Sequence, residues 1–125
     1  MLGEGSPLPL GILVGEGPGH EEADIGRPFV GATGRQLDEE LSNVELPRSK
    51  LFIVNATCCK PTTKDESDVR KAVLACRGVL LRQLRQFDKR VPVLALGKWA
   101  AFALTLRDKG VMNARGFIRS DWEIP

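Results

Sequence analysis

Several features that define common protein classes are scarce or missing in this chain of 125 residues. The longest apolar stretches, such as residues 91–97, fall far below the roughly 20 residues that a membrane-spanning helix needs. The first residues carry neither a basic segment nor an apolar one, so no secretory signal is visible. Three cysteines, two of them adjacent, cannot form a disulfide framework. These absences predict a cytoplasmic protein that has no membrane partner.

The composition of the chain is that of a globular protein. Hydrophobic residues make up 42% and charged residues 27%, which excludes a disordered or fibrous chain. The formal net charge of +2 neither indicates nor excludes a local basic patch for nucleic acid. The length predicts a single domain over residues 1–125, either whole or a fragment of a larger one. No pattern in the sequence predicts an oligomeric state.

Short apolar runs alternate with helical patterns along the chain. In chain order these are strand 10–14, helix 33–43, strand 51–54, a helix opened by a capping box at 63–66, strand 91–96 and helix 98–106. This alternation predicts a three-layer α/β sandwich, with a short parallel central sheet and helices on both faces. The first nine residues are expected to form a loose lead-in, and residues 116–118 a turn or an edge strand.

Three segments follow the predicted strands directly: residues 15–19, 55–60 and 97–98. Ligands bind outside the carboxyl ends of the strands in open sheets of this kind, so these segments are expected to line one crevice. The first of them has three glycines in five residues, which lets backbone N–H groups approach an anion. It lacks both the dinucleotide-binding spacing and the Walker lysine. A phosphate-binding α/β protein that uses this loop alone is therefore one interpretation. In this crevice, Arg27 and Lys60 are candidates for contacts with phosphates.

An ordered set of segments gives the sharpest functional signal. The set comprises Gly-Glu-Gly-Pro-Gly at 15–19, Glu22, Gly-Arg-Pro-Phe-Val-Gly at 26–31, Asn-Ala-Thr-Cys-Cys-Lys-Pro at 55–61, Cys76 and Val-Leu-Ala-Leu-Gly at 93–97. In this order the segments resemble the uracil-DNA glycosylase superfamily, most closely its iron–sulfur branch, often called family four. The resemblance runs from about residue 10 to residue 106, most of the chain.

The resemblance implies a DNA repair hydrolase that acts in base excision repair. Such enzymes flip a uracil out of the DNA stack and hydrolyse its N-glycosidic bond. Phe29 would stack on the uracil ring, Gly17 would contact it, and Asn55 would read its amide edge, because a side-chain amide both donates and accepts. Glu16 and Glu22 would be the catalytic acids near the attacking water. A carboxylate there would also stabilise an oxocarbenium-like sugar.

The chain departs from the family pattern at its carboxyl end. The family places a His-Pro-Ser segment after a fourth strand, and its histidine stabilises the uracil oxyanion. Here the single histidine is His20, and Pro125 is reached before such a segment. The last strand is therefore expected to be missing. The histidine would be missing with it, and oxyanion donors are typically worth about 10²–10³ in rate. A non-catalytic nucleic-acid or nucleotide-binding module that keeps the pocket is the alternative function.

The cysteines also depart from the family pattern. The resemblance implies that Cys59 and Cys76 are two cluster ligands, whereas the family's other two come from upstream of the first strand, where this sequence has no cysteine. A 4Fe-4S cluster usually needs four thiolates. No cofactor is therefore expected in this chain, and 4Fe-4S would require further ligands. Cys58 is an additional thiol.

Overall fold

A computed structural model describes residues 1–60, 63 and 65–106, together with the backbone of 118–119. The elements in chain order are β1 (Glu4–Gly5), β2 (Gly11–Gly15), α1 (His20–Ile25), α2 (Ala32–Asn43), a 3₁₀ turn (Arg48–Lys50), β3 (Leu51–Asn55), α3 (Glu66–Leu84), β4 (Val93–Ala95), α4 (Lys98–Thr105) and β5 (Ile118–Arg119). Within these ranges, no helix is long and apolar enough to cross a membrane.

The five strands form one sheet in the order β1-β3-β2-β4-β5. The three central strands are parallel, and β2 pairs with β3 from Gly11 opposite Leu51 to Gly15 opposite Asn55. The α/β prediction with a short parallel sheet is thus confirmed for the centre. Both edges differ, because β1 and β5 pair antiparallel with their neighbours. The edge of β4, where the last strand is expected to be missing, is paired over two residues by β5.

Side chains of the central strands alternate between two hydrophobic clusters, one on each face of the sheet. On one face, strand residues pack against α3 and α4. The buried members include Ile12, Val14, Phe52, Val54, Val73, Leu80, Leu84 and Phe102. On the other face, Leu13, Leu51 and Ile53 pack with partly buried side chains that include Phe29, Leu37 and Leu41. Helices on both faces give the three predicted layers, and the alternation follows from the period of two in a strand.

The start of α3 differs from the predicted capping box. Asp65 is the N-cap, and its carboxylate accepts a hydrogen bond from the Ser67 N–H at 2.8 Å. The predicted cap, Thr63, instead donates its hydroxyl to Asp68 at 2.6 Å. Aspartate caps a helix at least as well as threonine, and here it stands directly before the first helical residue. The capping-box prediction was therefore wrong by two positions.

Two elements went unpredicted because they carry no periodic apolar signal. Helix α1 has six residues and none of them is buried, so it shows no apolar face in the sequence. Strand β1 has two residues in the segment predicted to be a loose lead-in, and it exists through pairing with β3. Both elements depend on contacts that are distant in sequence.

Candidate functional site

An open cleft of about 1100 Å³ lies at the carboxyl ends of the three parallel strands. The loop after β2, the end of β3 and the start of α4 all contribute to it, as the strand order predicts. Its lining comprises residues 15–22, Phe29, residues 31–33, Gln36, Leu37, Glu40, Asn55, Lys60, Thr63, Val69, Leu96 and Trp99. Six predicted site residues are among them: Glu16, Gly17, Glu22, Phe29, Asn55 and Lys60.

The centre of the cleft is built around Gly15, the last residue of β2. A Cβ atom there would lie 2.6 Å from Cε2 of Phe29 and 2.7 Å from Oδ1 of Asn55. Both distances are too short for a real contact, so only glycine lets these two side chains approach the strand end. Phe29 and Asn55, which are 26 positions apart in sequence, therefore flank the same backbone position.

Asn55 is a buried polar residue with an unmet hydrogen-bonding capacity. Only 7% of the residue is exposed, and its Nδ2 has no hydrogen-bond partner in the described part of the chain. Leaving a buried donor unpaired costs about 1–3 kcal/mol, so such groups are uncommon in native structures. Asn55 also lines the cleft, which a ligand can enter. The geometry thus leaves a donor ready for a ligand acceptor.

The loop that carries Glu16 and Gly17 is held against the segment after β3. The Ala56 N–H donates to Gly15 O at 2.8 Å, and the Thr57 N–H donates to Glu16 O at 3.0 Å. The buried hydroxyl of Thr57 also donates to Glu16 O, at 3.3 Å. These bonds continue the parallel pairing beyond the strands and fix the backbone below the exposed Glu16 side chain. Sequence reasoning missed Thr57, because its hydrogen-bond partner, the carbonyl of Glu16, is 41 positions away and no sequence motif links the two residues.

Glu22 enters the cleft from α1 and contacts the start of α2. Its Oε1 accepts a hydrogen bond from the Gly31 N–H at 3.3 Å. A Cβ at Gly31 would lie 3.1 Å from that same oxygen, so a side chain there would crowd the carboxylate. The positive end of the α2 dipole favours an anionic group at this position. Glu22 is therefore oriented by the backbone that follows Phe29.

The backbone at Phe29 is strained and is held by a residue outside the cleft. Phe29 has a φ of +54°, in the left-handed region that non-glycine residues rarely adopt. The Arg48 guanidinium donates to Phe29 O at 2.7 Å and also to Pro28 O. Asp38 accepts from the same guanidinium at 3.2 Å. Sequence reasoning missed Arg48, because nothing in the sequence distinguishes it from an ordinary surface arginine. Its contacts with the carbonyls of Pro28 and Phe29 exist only in the folded chain.

The two predicted phosphate-binding cations occupy different surroundings. Lys60 lines the cleft, and its Nζ lies 2.9 Å from Nδ1 of His20. Arg27 is not among the lining residues. Its guanidinium pairs with Glu4 at 3.0 Å, and hydrogen bonding to that carboxylate raises the pKa of Arg27. The structure therefore brings Lys60, but not Arg27, to the cleft.

The cysteine contact seen in the structure joins Cys58 and Cys76, whereas the predicted ligands are Cys59 and Cys76. The Cys58 N–H donates to Sγ of Cys76 at 3.4 Å, whereas Cys59 is exposed. Burial, followed by the neighbouring Cys76, raises the pKa of the Cys58 thiol. Thus Cys58, instead of the predicted Cys59, has the observed contact with Cys76, because the chain turns outward after β3.

The described residues do not fit a four-thiolate cluster. Among them, no group of three or more histidine, cysteine, aspartate or glutamate side chains is placed to hold a metal ion. A 4Fe-4S cluster usually takes four thiolates. The ligand roles of Cys59 and Cys76 stay a prediction, and no chemical step is derived from a cluster.

Comparison with known proteins assigns the chain to a class. The fold is an α/β sandwich with a glycine-lined cleft at the ends of its parallel strands. The sequence profile of the Uracil DNA glycosylase superfamily matches residues 2–120. The chain therefore belongs to the uracil-DNA glycosylase superfamily. This confirms the resemblance predicted from the ordered segments.

Curated relatives narrow the similarity to one branch. The chain is 41% identical over 103 residues to the Type-4 uracil-DNA glycosylase of Pyrobaculum aerophilum, covering 82% of this chain and 51% of the relative. It is 37% identical over 90 residues to that of Archaeoglobus fulgidus, covering 72% and 44%. It is 33% identical over 117 residues to that of Thermotoga maritima, covering 93% and 60%. The chain thus spans roughly half the length of these relatives.

Proposed function

We propose that this chain binds a uracil flipped out of DNA and hydrolyses its N-glycosidic bond, as a base excision repair enzyme of the cytoplasm. The observation that carries the proposal is the unpartnered, buried Nδ2 of Asn55 beside the Phe29 ring. An aromatic face and a side-chain amide at one position suit a planar base with an amide edge. The relatives bearing the name Type-4 uracil-DNA glycosylase support the same substrate.

Recognition of uracil would depend on the two polar ends of Asn55. Its Nδ2 would donate to O4 of uracil, and its Oδ1 would accept from the N3–H. Cytosine presents an amino donor where uracil presents O4, so the same amide orientation would leave donors facing each other. An unmet buried hydrogen bond costs about 1–3 kcal/mol, enough to disfavour the wrong base by about 5- to 150-fold.

Hydrolysis would use the carboxylates of the glycine loop and of α1. A water oxygen bonds to C1′ as the C1′–N1 bond breaks, and the bonding pair leaves with uracil. The proton of the water passes to a carboxylate, for which Glu16 and Glu22 are the candidates in the cleft. Either anion also stabilises positive charge on the sugar ring. Gly17 would contact the base through its backbone, and it lets the loop pack on Thr57, with which a Cβ at this position would collide.

The charges of the cleft favour a neutral base over a phosphate in its interior. Among the described lining residues, four carry carboxylates, Glu16, Glu21, Glu22 and Glu40, against the ammonium of Lys60. Phosphates are repelled by such a lining, so the DNA backbone would stay at the rim, with Lys60 as its contact. Arg27 is a weaker candidate for phosphate binding, because Glu4 already neutralises its charge.

Excision from a uracil-containing single strand under single-turnover conditions tests the proposal. Abasic sites should form with uracil but not with thymine. Asn55→Ala should slow excision by about 10²–10³-fold, the usual value of one positioned donor. Asn43→Ala is the matched control, because Asn43 is an exposed residue at the end of α2. It should excise at the unaltered rate.

Two other outcomes would contradict the proposal in different ways. Uracil-selective binding without abasic sites would favour the non-catalytic binding module. Binding that ignores base identity and is insensitive to Asn55→Ala would favour the phosphate-binding interpretation of the glycine loop.

A further inference from the structure

Trp99 supplies an aromatic side chain to the cleft on the side opposite Asn55. It is the second residue of α4 and follows β4 across Gly97. The Leu96 N–H donates to Val14 O at 2.8 Å, so the chain entering α4 runs beside the end of β2. Strand β4 lies on one side of β2 and strand β3 on the other. Two strand spacings, about 10 Å, therefore separate the end of β3, which carries Asn55, from the end of β4, which leads to Trp99.

The Trp99 ring is anchored on one side and open on another. It packs edge-to-face on Phe102, with ring centroids 5.9 Å apart and planes at 81°. Phe102 is itself buried in the core, whereas Trp99 is half-buried and lines the cleft. A ring held at one edge by the core loses little freedom when a second planar group stacks on it.

A cation lies over one face of the same ring. The Lys98 ammonium is 4.8 Å from the centroid of Trp99, within the range of a cation–π contact, and it pairs with Glu66. A base would therefore stack on the opposite face of the ring. Proteins that bind single-stranded nucleic acid commonly stack its bases on aromatic side chains and place cations near its phosphate backbone. Lys98 is paired with Glu66, as Arg27 is with Glu4, so the ring of Trp99, not the ammonium, is the group that would hold the base.

We propose that Trp99 is a second stacking platform, which holds the base next to the flipped uracil in the same DNA strand. The inference rests on the proposed function, since it takes the Phe29–Asn55 end of the cleft as the uracil position. One platform would then bind the reacting base, and the other would bind its neighbour on the β4 side of the cleft.

Intrinsic fluorescence tests this directly, because Trp99 and Trp122 are the two tryptophans of the chain. In a Trp122→Phe background, Trp99 is the remaining tryptophan emitter. Its emission should be quenched when a single strand containing one uracil binds. A strand with the same uracil but abasic spacers on both sides should bind more weakly and quench little.

Two substitutions separate stacking from packing. Trp99→Phe keeps an aromatic face and should change the Kd of the uracil strand by less than about threefold. Trp99→Leu keeps apolar volume against Phe102 but removes the π face. It should raise the Kd about 5- to 150-fold, the range measured for base–aromatic stacking. Far-UV circular dichroism and urea unfolding establish that both variants are folded.

The outcomes separate this inference from the proposed function. Excision of uracil without any quench of Trp99, or equal Kd values for Trp99→Leu and Trp99→Phe, overturns the platform while the glycosylase proposal stands. Quenching by uracil and thymine strands alike, insensitive to Asn55→Ala, supports the platform and overturns uracil recognition. A folded protein that binds no strand overturns both.

Discussion

Replacing Arg48 with alanine tests whether the Phe29 loop depends on a side chain outside the cleft. Arg48 donates two hydrogen bonds from a charged group to the carbonyls of Pro28 and Phe29, and its side chain is 22% exposed. Such bonds are worth about 1.5–3 kcal/mol each, and the partial exposure favours the lower value. The pair with Asp38, which is half-exposed, adds less than about 1 kcal/mol. Arg48→Ala should therefore lower the free energy of unfolding by about 3 kcal/mol if the loop keeps its conformation, and by about 1–2 kcal/mol if the loop relaxes and releases its backbone strain.

The same substitution should weaken uracil binding through Phe29. The left-handed backbone at Phe29 costs about 1–2 kcal/mol, which the loop would release once Arg48 no longer holds its carbonyl. The ring would then leave its place beside Gly15, and the stacking contribution of about 1–3 kcal/mol would be lost. The Kd for a uracil-containing strand should rise about 5- to 150-fold at urea concentrations where the variant is still folded.

A double-mutant cycle decides whether Arg48 acts as a positioning residue. Fluorescence anisotropy would give the Kd for wild type, Arg48→Ala, Phe29→Ala and the double variant. Coupled residues are non-additive, so Arg48→Ala should have almost no further effect in the Phe29→Ala background. Fully additive effects on Kd would refute the reasoning. Arg90→Ala is the control, because Arg90 is an exposed arginine that pairs with a neighbouring aspartate. It should leave the Kd unchanged.

Three further predictions concern single residues. Asn55→Ala should abolish uracil discrimination but change the free energy of unfolding by less than about 1 kcal/mol in urea titrations, because it removes an unpaired buried donor. A large destabilisation would show that the amide is hydrogen-bonded within the fold. Hydrogen bonds from Arg90 hold the pKa of Asp88 at about 2, so this carboxylate contributes stability above its ordinary pKa of 3.8 that is lost as the pH falls towards 2. Arg90→Ala should return the pKa of Asp88 towards the ordinary value in an NMR titration of its carboxyl carbon, and an unchanged titration would contradict the contact. Gly15→Ala should raise the Kd for uracil strands at least tenfold, because it displaces the side chains of Phe29 and Asn55. Gly78→Ala is the control, since a Cβ there meets no described atom within 4 Å. It should leave the Kd unchanged and raise the free energy of unfolding by about 0.5–1 kcal/mol.

The backbone architecture could be predicted because its determinants are local. Apolar runs of four to six residues at 10–14, 51–54 and 91–96 each contain an observed strand or most of one. The periodic apolar stripe of α3 is long enough to specify a helix without its partners. Strand ends that meet at one edge of a parallel sheet then predict a cleft, and this inference needs no side-chain detail.

Local pattern also predicted that the glycine loop would line the cleft. Glycine clusters must follow β2 if a side chain is to approach the strand end, so residues 15–19 could be assigned to the cleft from sequence. Strand β1 could not be predicted in the same way. A two-residue strand carries no period, and its existence depends on a neighbour that is far away in the chain.

What the tertiary structure alone decided are the contacts between side chains distant in sequence. Arg48 meets the Phe29 carbonyl across 19 positions, and Thr57 meets the Glu16 carbonyl across 41. Arg27 was drawn to Glu4, away from the cleft, by an opposite charge 23 positions earlier. The sequence by itself determined the three central strands, the helices α2, α3 and α4, their order and the family, because periodicity and motif spacing are properties of neighbouring residues. Which arginine holds the loop and which faces a carboxylate depends on the distances that folding creates, since a hydrogen bond or ion pair acts over only a few ångströms.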